Sequence, residues 1–356
     1  METTNRIQPA STTSQVVDPP TQDAAADLSV RNQMRAIVQD AYGTVDVLRL
    51  TQIDKPAIEP NEVLVKVAAA GMDRGTWHLM AGKPYLMRVI GFGFRRPKNR
   101  VPGLDVAGTV AAVGSEVTRF QPGDGVFGMS RGSYAEYAAV REDKLAHKPS
   151  GLSFEQAAVV PISGGTALQG LRDSGGIKAG DRVLIIGASG GVGTYAVQLA
   201  KAFGAEVTGV CSTAKLDLVR SIGADHVIDY TVEDYAEGES RYDLILDIGG
   251  NSRLSRLRRA LSPEGTLVIV GGEEGGNITG GFGRQIRALV LSLFVKQSLT
   301  MLASKERYTD LEALCPFLEN GELTPVVDRV YPLSQVTDAM RQLEAGTVRG
   351  KIAIAV

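Results

Sequence analysis

The stretch that decides the fold is Gly187-Ala188-Ser189-Gly190-Gly191-Val192-Gly193. It follows a short apolar run at residues 182–186, which suits a strand buried on both faces, and it precedes apolar residues at helical spacing. Small residues let the backbone approach a pyrophosphate, to which the next helix offers free N–H groups and the positive end of its dipole. Glycine at position 193 lets that helix pack close to the strand. The turn therefore predicts a dinucleotide site; the alternative is a tight glycine turn without a ligand.

Outward from this turn, strand and helix patterns alternate. Strands are predicted at 206–211, 226–229, 244–247 and 265–270, with helices at 215–222 and about 251–260 between them. Such alternation indicates a parallel sheet with helices on both faces. Residues 34–140 have the pattern of short strands and turns, an all-β body with few helices. The last part predicts a helix at 311–319, an extended run at 325–330, a helix that begins at Ser334 and stops at Gly346, and a final strand at 351–356.

Composition excludes several function classes. The chain has 356 residues, 44% hydrophobic and 22% charged, with a formal net charge of −2, so we expect no nucleic-acid partner. No apolar run approaches the roughly 20 residues that span a bilayer, and we expect no membrane association. Two cysteines cannot build a disulfide framework, which favours the cytoplasm. Residues 1–33, rich in Thr, Ser, Gln, Pro and Ala, are predicted to be a disordered tail.

The choice of nucleotide depends on the end of the second strand. NAD-binding units usually place Asp or Glu there, about 20 residues after the glycine turn, to bind the ribose 2′-hydroxyl. This chain has Ser212 and Thr213, which can donate hydrogen bonds, followed by the cation Lys215. The set favours the 2′-phosphate of NADPH, although Lys215 could also be a solvated surface lysine. Tyr230, after the third strand, is a second candidate for this pocket, with ordinary packing as its alternative.

The order of parts resembles the medium-chain dehydrogenase/reductase superfamily, in its zinc-independent quinone-oxidoreductase-like branch. The resemblance covers residues 34–356. Besides the glycine turn, it rests on Pro102-Gly103-Leu104-Asp105-Val106-Ala107-Gly108, Pro122-Gly123-Asp124, Gly132-Ser133-Tyr134-Ala135-Glu136-Tyr137 and Gly350-Lys351. It implies an α/β chain with a GroES-like β domain, residues 34–160 completed by 325–356, and a Rossmann NADP-binding domain with a doubly wound parallel sheet, residues 161–324. It also implies that Lys215 and Tyr230 grip the 2′-phosphate and that the active site lies in the cleft.

The same resemblance allows a test for zinc, which needs about three sulfur or imidazole ligands. The positions that match the zinc ligands of the superfamily's alcohol dehydrogenases hold Asp73, Leu104 and Ile162. One carboxylate beside two aliphatic side chains cannot hold zinc. We therefore expect no metal.

Without a Lewis acid, hydride transfer to an already electrophilic carbon is the easier chemistry. The expected enzyme is an NADPH-dependent oxidoreductase that reduces quinones or α,β-unsaturated carbonyls, with a small apolar carbonyl compound or quinone as substrate. Two alternatives stay open. One is a zinc-free carbonyl reductase or alcohol dehydrogenase, and the other is a non-catalytic NADPH-binding or sensing protein.

Candidate catalytic residues are Asp73, Thr76 and His78. Family members often have Asn in place of Asp73, and a carboxylate cannot donate the hydrogen bond that an amide can. Thr76 could bond the nicotinamide ribose or the substrate. His78 matches a proton-relay position of the zinc enzymes, so it is either the proton donor or a structural histidine.

Further expectations concern the cofactor and the surface. Thr166, Gly249, Val270 and Gly271 are expected to contact the cofactor, because the last three follow later strand ends. Residues 84–100 mix aromatic and basic side chains and are either a mobile lid over an apolar substrate or a solvated basic loop. The apolar helix predicted at 286–295 lines the pocket or forms a subunit contact, and we expect a homodimer.

Overall fold

The structure, a computed structural model, describes residue 1 and residues 32–237, 241–250, 252–272 and 276–356. The chain divides into two units, Met1–Gln33 and Met34–Val356. The tail predicted to be disordered, residues 1–33, lies outside the described residues except at positions 1, 32 and 33.

The first part of the larger unit consists mainly of antiparallel strands. Its strands are β1 (Gln33–Val38), β2 (Arg49–Asp54), β3 (Glu62–Met72), β4 (Asp105–Val113), β5 (Gly125–Met129), β6 (Tyr137–Arg141) and β7 (Leu145–His147). Strands β1 and β2 form a sheet of their own. Strands β3 to β7 form a larger sheet with two strands from the end of the chain, β14 (Val327–Pro332) and β15 (Lys351–Ala355), in the order β14-β15-β3-β4-β5-β7, with β6 also paired to β3. Because Ile352 is opposite Met72 in the β15–β3 pair, the start of β15 adjoins the end of β3.

The second large sheet has six parallel strands. They are β8 (Arg182–Ile186), β9 (Glu206–Cys211), β10 (His226–Asp229), β11 (Tyr242–Asp247), β12 (Leu261–Ile269) and β13 (Ser298–Met301), in the order β10-β9-β8-β11-β12-β13. The order reverses between β8 and β11, so a crevice opens at their carboxyl ends, where nucleotides bind in such sheets. This doubly wound arrangement confirms the predicted fold class.

Helices cover the sheets and connect their strands. They are α1 (Arg74–Ala81), α2 (Phe154–Ala158), α3 (Pro161–Leu168), α4 (Gly191–Ala202), α5 (Leu216–Ser221), α6 (Leu254–Ala260), α7 (Gly276–Thr279), α8 (Phe282–Ser292), α9 (Tyr308–Glu319) and α10 (Val336–Glu344). In the described part of the chain, every helix is too short or too polar to span a bilayer.

Several local predictions need correction. Ser334 does not cap a helix: it lies inside a 3-10 turn, Leu333–Gln335, and α10 begins two residues later. Gly346 does end that helix, with the positive φ of +68° that glycine accepts. Helix α8 begins and ends earlier than the predicted 286–295. Strand β13 was not predicted.

One hydrophobic core connects the two large sheets. Phe127 and Met129 of β5 belong to the same buried cluster as Val183 and Ile185 of β8. Tyr195 of α4 is fully buried there, and its hydroxyl donates to the carbonyl of Val159 at 3.0 Å. Since the core is shared, the domain boundaries expected near residues 160 and 324 stay predictions.

Candidate active site and nucleotide cleft

The glycine turn has the geometry that its sequence predicts. Strand β8 ends at Ile186, Gly187 takes a φ of +89°, and α4 begins at Gly191. A Cβ atom at residue 193 would lie 2.1 Å from the carbonyl oxygen of Gly187, so only glycine fits. Ala188 is fully buried and packs toward β9 rather than toward the cleft. The turn therefore places bare backbone at the start of α4.

A cleft of about 800 Å³ runs along this turn. Among the predicted residues, its walls include Asp73, His78, Thr166, Gly187, Ser189, Gly190, Gly191, Val192, Gly249, Val270 and Gly271. The wall also carries Lys351 of β15, a cation beside the turn. These residues fit a nicotinamide dinucleotide, because unobstructed backbone and a helix N-terminus suit a pyrophosphate.

A neighbouring cavity of about 630 Å³ extends past the end of β9 and shares Gly187, Ser189 and Gly249 with the cleft. Ser212, Lys215 and Tyr230 line it, and the ring of Tyr230 is 58% exposed. Thr213 does not line it. Its hydroxyl donates to the carboxylate of Asp229, which also accepts from Thr231. The hydrogen bond from Thr213 lowers the pKa of Asp229 and so favours its charged form, while a direct contact of Thr213 with the cofactor stays a prediction.

Lys215 is held in place before any ligand arrives. Its Nζ donates to the carbonyl oxygens of Gly346 at 2.9 Å and Val348 at 2.7 Å. Burial lowers its pKa from the ordinary lysine value. The ammonium thus lies in the wall of the cavity, bound to neutral acceptors.

Two arginines of the same cavity were missed from the sequence. Arg256 donates to Asp234 at 2.7 Å and lies over the ring of Tyr235. Arg253, just before α6, has no side-chain hydrogen bond or ion pair within the described ranges. The available signal was the run of arginines that follows the fourth strand of the sheet.

Asp73 caps helix α1. Its Oδ1 accepts from the backbone N–H of Thr76 at 2.8 Å and from the Thr76 hydroxyl at 3.2 Å. Thr76 is fully buried. It lines neither the cleft along the glycine turn nor the cavity that shares His78 with this cleft, so the prediction that it bonds the ribose or the substrate is corrected. Asp73 Oδ2 is buried without a hydrogen-bond partner among the described residues, and Lys351 Nζ lies 3.8 Å from it.

Lys351 forms a buried charge cluster that the sequence indicated only as part of a family pattern. Its side chain is 2% exposed, and Nζ lies 3.2 Å from Oδ2 of Asp105, which is fully buried. Asp105 Oδ1 accepts from the backbone N–H of Ile162 at 2.8 Å. Burial raises the pKa of Asp105 to about 7, against the opposing effect of the Lys351 ammonium. One cation therefore faces two carboxylates beside the glycine turn.

His78 connects the cleft to a third cavity, of about 480 Å³. Its Nδ1 lies 2.9 Å from the carbonyl oxygen of Lys83. Since a carbonyl can only accept, Nδ1 carries a proton. His78 thus stands where a substrate in the third cavity would meet a cofactor in the cleft.

The third cavity is mainly apolar and is closed by the segment predicted to be a lid. Pro84, Met87, Phe92 and Pro97 line it, together with Phe282 of α8. The segment is tied down where the backbone N–H of Tyr85 donates to the carbonyl of Asn277 at 2.8 Å. We name this space the substrate cavity. Whether residues 84–100 move as a lid stays a prediction.

The residues at the superfamily's zinc position do not fit a metal. Asp73 is engaged by Thr76 and Lys351, and the other two matching positions, Leu104 and Ile162, are aliphatic. No group of three or more His, Cys, Asp or Glu side chains in the described ranges could hold an ion. The residues at this position therefore offer zinc no ligand set.

Comparison with known proteins agrees with this geometry. Residues 59–150 match the alcohol dehydrogenase GroES-like domain, and residues 222–354 match a family described as zinc-binding dehydrogenase. The chain is 34% identical to 2-methylene-furan-3-one reductase of Solanum lycopersicum, covering 93% of this chain and 81% of the relative. It is 35% identical to the chloroplastic NADPH-dependent alkenal/one oxidoreductase of Arabidopsis thaliana, covering 93% and 82%.

Among solved structures, the quinone oxidoreductase from Coxiella burnetii superposes with a TM-score of 0.81 at 29% identity, over 91% of this chain and 99% of that one. Sequence, sheet order and cleft thus agree. The chain belongs to the quinone-oxidoreductase-like family of the medium-chain dehydrogenase/reductase superfamily, and it is an oxidoreductase that uses a nicotinamide cofactor.

Proposed function

We propose that this chain reduces quinones or α,β-unsaturated carbonyl compounds with NADPH and without a metal. The observation that carries the proposal is the cluster at Asp73, where a metal ligand would otherwise stand. There the carboxylate caps α1 and the nearest cation is the Lys351 ammonium. Conjugated acceptors suit such a site because charge moves to an oxygen that hydrogen bonds alone can stabilise.

Different residues of the chain bind the cofactor, donate the proton and fix the geometry of the site. The glycine turn holds the pyrophosphate, while Thr166, Gly249, Val270 and Gly271 contact the rest of the cofactor. When bound, NADPH supplies the hydride. His78 is the best-placed proton donor, since it lines both the cleft and the substrate cavity. Asp73 and Thr76 act as positioning residues that fix the start of α1.

Selection of NADPH over NADH follows from charge. Lys215 and Arg253 line the cavity past β9, and the carboxylate of the nearby Asp229 is occupied by the hydroxyls of Thr213 and Thr231. A 2′-phosphate would gain charge-assisted hydrogen bonds there, whereas a 2′-hydroxyl would gain little. The described residues place no unpaired acid at the end of β9 to favour the hydroxyl.

The names of the relatives support the substrate class. One is called a reductase of a methylene-furanone, another an alkenal/one oxidoreductase that depends on NADPH, and the structural relative a quinone oxidoreductase. All three names describe acceptors in which a carbonyl is conjugated to a carbon–carbon double bond.

The test is a substrate panel followed by NADPH absorbance. We expect turnover of a simple quinone and of a conjugated enone, unchanged by a chelator. Activity that tracks bound zinc would contradict the absence of a metal. Turnover of simple aldehydes and ketones alone would favour a zinc-free carbonyl reductase, and binding without any turnover would favour a sensing role.

We also propose a homodimer through α8 and β13. Ile286, Val290, Leu293 and Phe294 are more than half exposed, and β13 is the edge strand of its sheet. An exposed apolar face beside an open edge suits pairing with a second copy. Sedimentation should show a dimer that Leu293→Glu dissociates, while Val330→Glu, a matched exposed site on β14, leaves it intact.

The cytoplasmic location stays a prediction, because it rests on the cysteine content alone. The Arabidopsis relative is described as chloroplastic. Imaging of a tagged full-length chain would decide it, and an organellar signal would contradict the prediction.

A further inference from the structure

One polar side chain stands out in the wall of the substrate cavity. Gln39, directly after β1, lines this cavity and is only 2% exposed. Its Oε1 is buried and has no hydrogen-bond partner among the described residues. Buried amide oxygens are nearly always paired, so an orphan of this kind needs an explanation. The cavity beside it supplies one, since a bound molecule would satisfy the amide.

The surroundings of Gln39 hold this residue in the wall of the substrate cavity. Its backbone N–H donates to the carbonyl of Arg100 at 2.8 Å, which fixes the residue at the cavity wall. The wall that follows Arg100 in the chain, formed by Val101, Pro102 and Leu104, is apolar, whereas Lys98 and Asn99 before it are polar. Among the described residues that line this cavity, Gln39 is the one with a buried side-chain atom that lacks a partner, and such polar groups fix the orientation of a ligand in a binding cavity.

Gln39 also lies outside the cofactor cleft. It lines the substrate cavity but not the cofactor cleft, whereas His78 lines both. A substrate whose reacting carbon lies near His78 would present its far end to the amide. Gln39 is therefore suited to recognise a second polar group, remote from the carbon that is reduced.

We propose that Gln39 is a specificity-determining residue that selects conjugated substrates with a second carbonyl opposite the first, the 1,4-dione pattern of para-quinones. The inference rests on the proposed function and narrows its substrate class. The amide suits both ends of the reaction, because Nε2 can donate to a carbonyl and Oε1 can accept from a hydroxyl. It would therefore serve a quinone before reduction and a hydroquinone after it.

The reaction balances with the reagents already proposed. Reduction adds a hydride from NADPH to one carbon of the conjugated double bond and a proton to the other, leaving NADP⁺. With an ene-1,4-dione the product is the saturated 1,4-dione. With a para-quinone the product dione is a tautomer of the hydroquinone. In both cases the second carbonyl oxygen is present while the substrate binds.

The experiment compares 2,6,6-trimethylcyclohex-2-ene-1,4-dione, whose quaternary ring carbon prevents tautomerisation to a hydroquinone, with 2,6,6-trimethylcyclohex-2-enone. The two compounds differ by the second carbonyl. For each protein the measurement is the ratio of kcat/KM for the dione to kcat/KM for the enone. Gln39→Leu should lower this ratio by about tenfold, because a site without the amide no longer distinguishes the two compounds. Gln39→Met, which keeps the unbranched chain, should lower it equally.

Controls separate a binding role from a structural one. Gln52→Leu makes the same change on the exposed surface of β2, outside the cavities described above, and we expect the ratio to stay within about twofold of wild type. The melting temperature of Gln39→Leu should equal or exceed that of wild type, since a buried orphan acceptor is removed.

The outcomes are distinguishable. An unchanged ratio in both Gln39 variants, with wild-type turnover of both compounds, overturns this inference and leaves the proposed function standing. A clear loss of thermal stability in both Gln39 variants would make the residue structural and would also overturn it. Failure of the wild-type protein to turn over either compound counts against the proposed function itself.

Discussion

The glycine turn and the substrate cavity are built in opposite ways. The turn uses seven consecutive residues between one strand and one helix, and its chemistry comes from backbone N–H groups. The substrate cavity collects side chains from the end of β1, from α1, from the segment that follows it and from α8. A contiguous backbone site should fail completely when one position changes. A site assembled from distant segments should change by degrees.

The largest effect is expected at Gly193. Gly193→Ala places a Cβ within 2.1 Å of the Gly187 carbonyl oxygen, and backbone cannot yield as a flexible side chain can. We expect cofactor affinity to fall by at least about 100-fold, because α4 must shift away from β8. Titration of the purified protein with NADPH measures this loss.

Gly151→Ala is the matched control. A Cβ there meets nothing within 4 Å, so affinity and melting temperature should be unchanged. If Gly193→Ala bound NADPH as well as Gly151→Ala, the close approach of helix and strand would not be what builds the site.

The next largest effect is expected at Lys215, a single side chain that two backbone carbonyls hold in place. Lys215→Ala should weaken NADPH binding by about 10- to 100-fold, the value of a charge-assisted hydrogen bond, and NADH binding by less than about threefold. Arg259→Ala, an exposed change on α6 whose nearest carboxylate is 3.8 Å away, is the control and should alter neither. Equal losses for both cofactors would show that Lys215 acts only through its hydrogen bonds to the carbonyls of Gly346 and Val348 and does not contact the 2′-phosphate.

The smallest effect is a pH dependence at the Lys351 cluster. Because the pKa of Asp105 is raised to about 7 by burial, the residue is protonated below that pH and no longer opposes the Lys351 charge. NADH affinity should therefore weaken about threefold to fivefold as pH rises from 6 to 8. The Asp105 contribution to the free energy of unfolding should likewise fall as pH rises from about 4 through about 7.

Isothermal titration with NADH is the appropriate measurement, since NADH lacks the 2′-phosphate that would itself titrate. Asp105→Asn should flatten the profile. A profile that keeps its slope in Asp105→Asn would show that another group titrates.

The sequence predicted the parts of the molecule that depend on neighbours along the chain. Strands β8, β9 and β10 matched their predicted bounds, since their apolar runs, bounded by turns, carry a local signal. Strand β13 was missed because Ser298 and Thr300 interrupt its apolar pattern. Its membership depends on pairing with β12, which no local pattern reveals.

The residues of the candidate site divide in the same way, into those with a local sequence signal and those that only the fold brings there. The contact of the glycine turn with a cleft could be predicted from seven consecutive residues of the sequence. The inward turn of Thr76 toward Asp73, and the engagement of Thr213 with Asp229, depend on which partner a hydroxyl finds in three dimensions. Gln39 and Arg253 carried no motif, and only the assembled walls of the two cavities place them there.

Strand β15 closes the first large sheet between β14 and β3 and carries Lys351 to Asp105 and Asp73 in the same movement. Docking of β15 therefore adds the strand between β14 and β3 and supplies the cation for two carboxylates together. A contiguous fragment that ended at residue 160 would lack both the strand and the cation, so we expect it to be less stable than the whole chain.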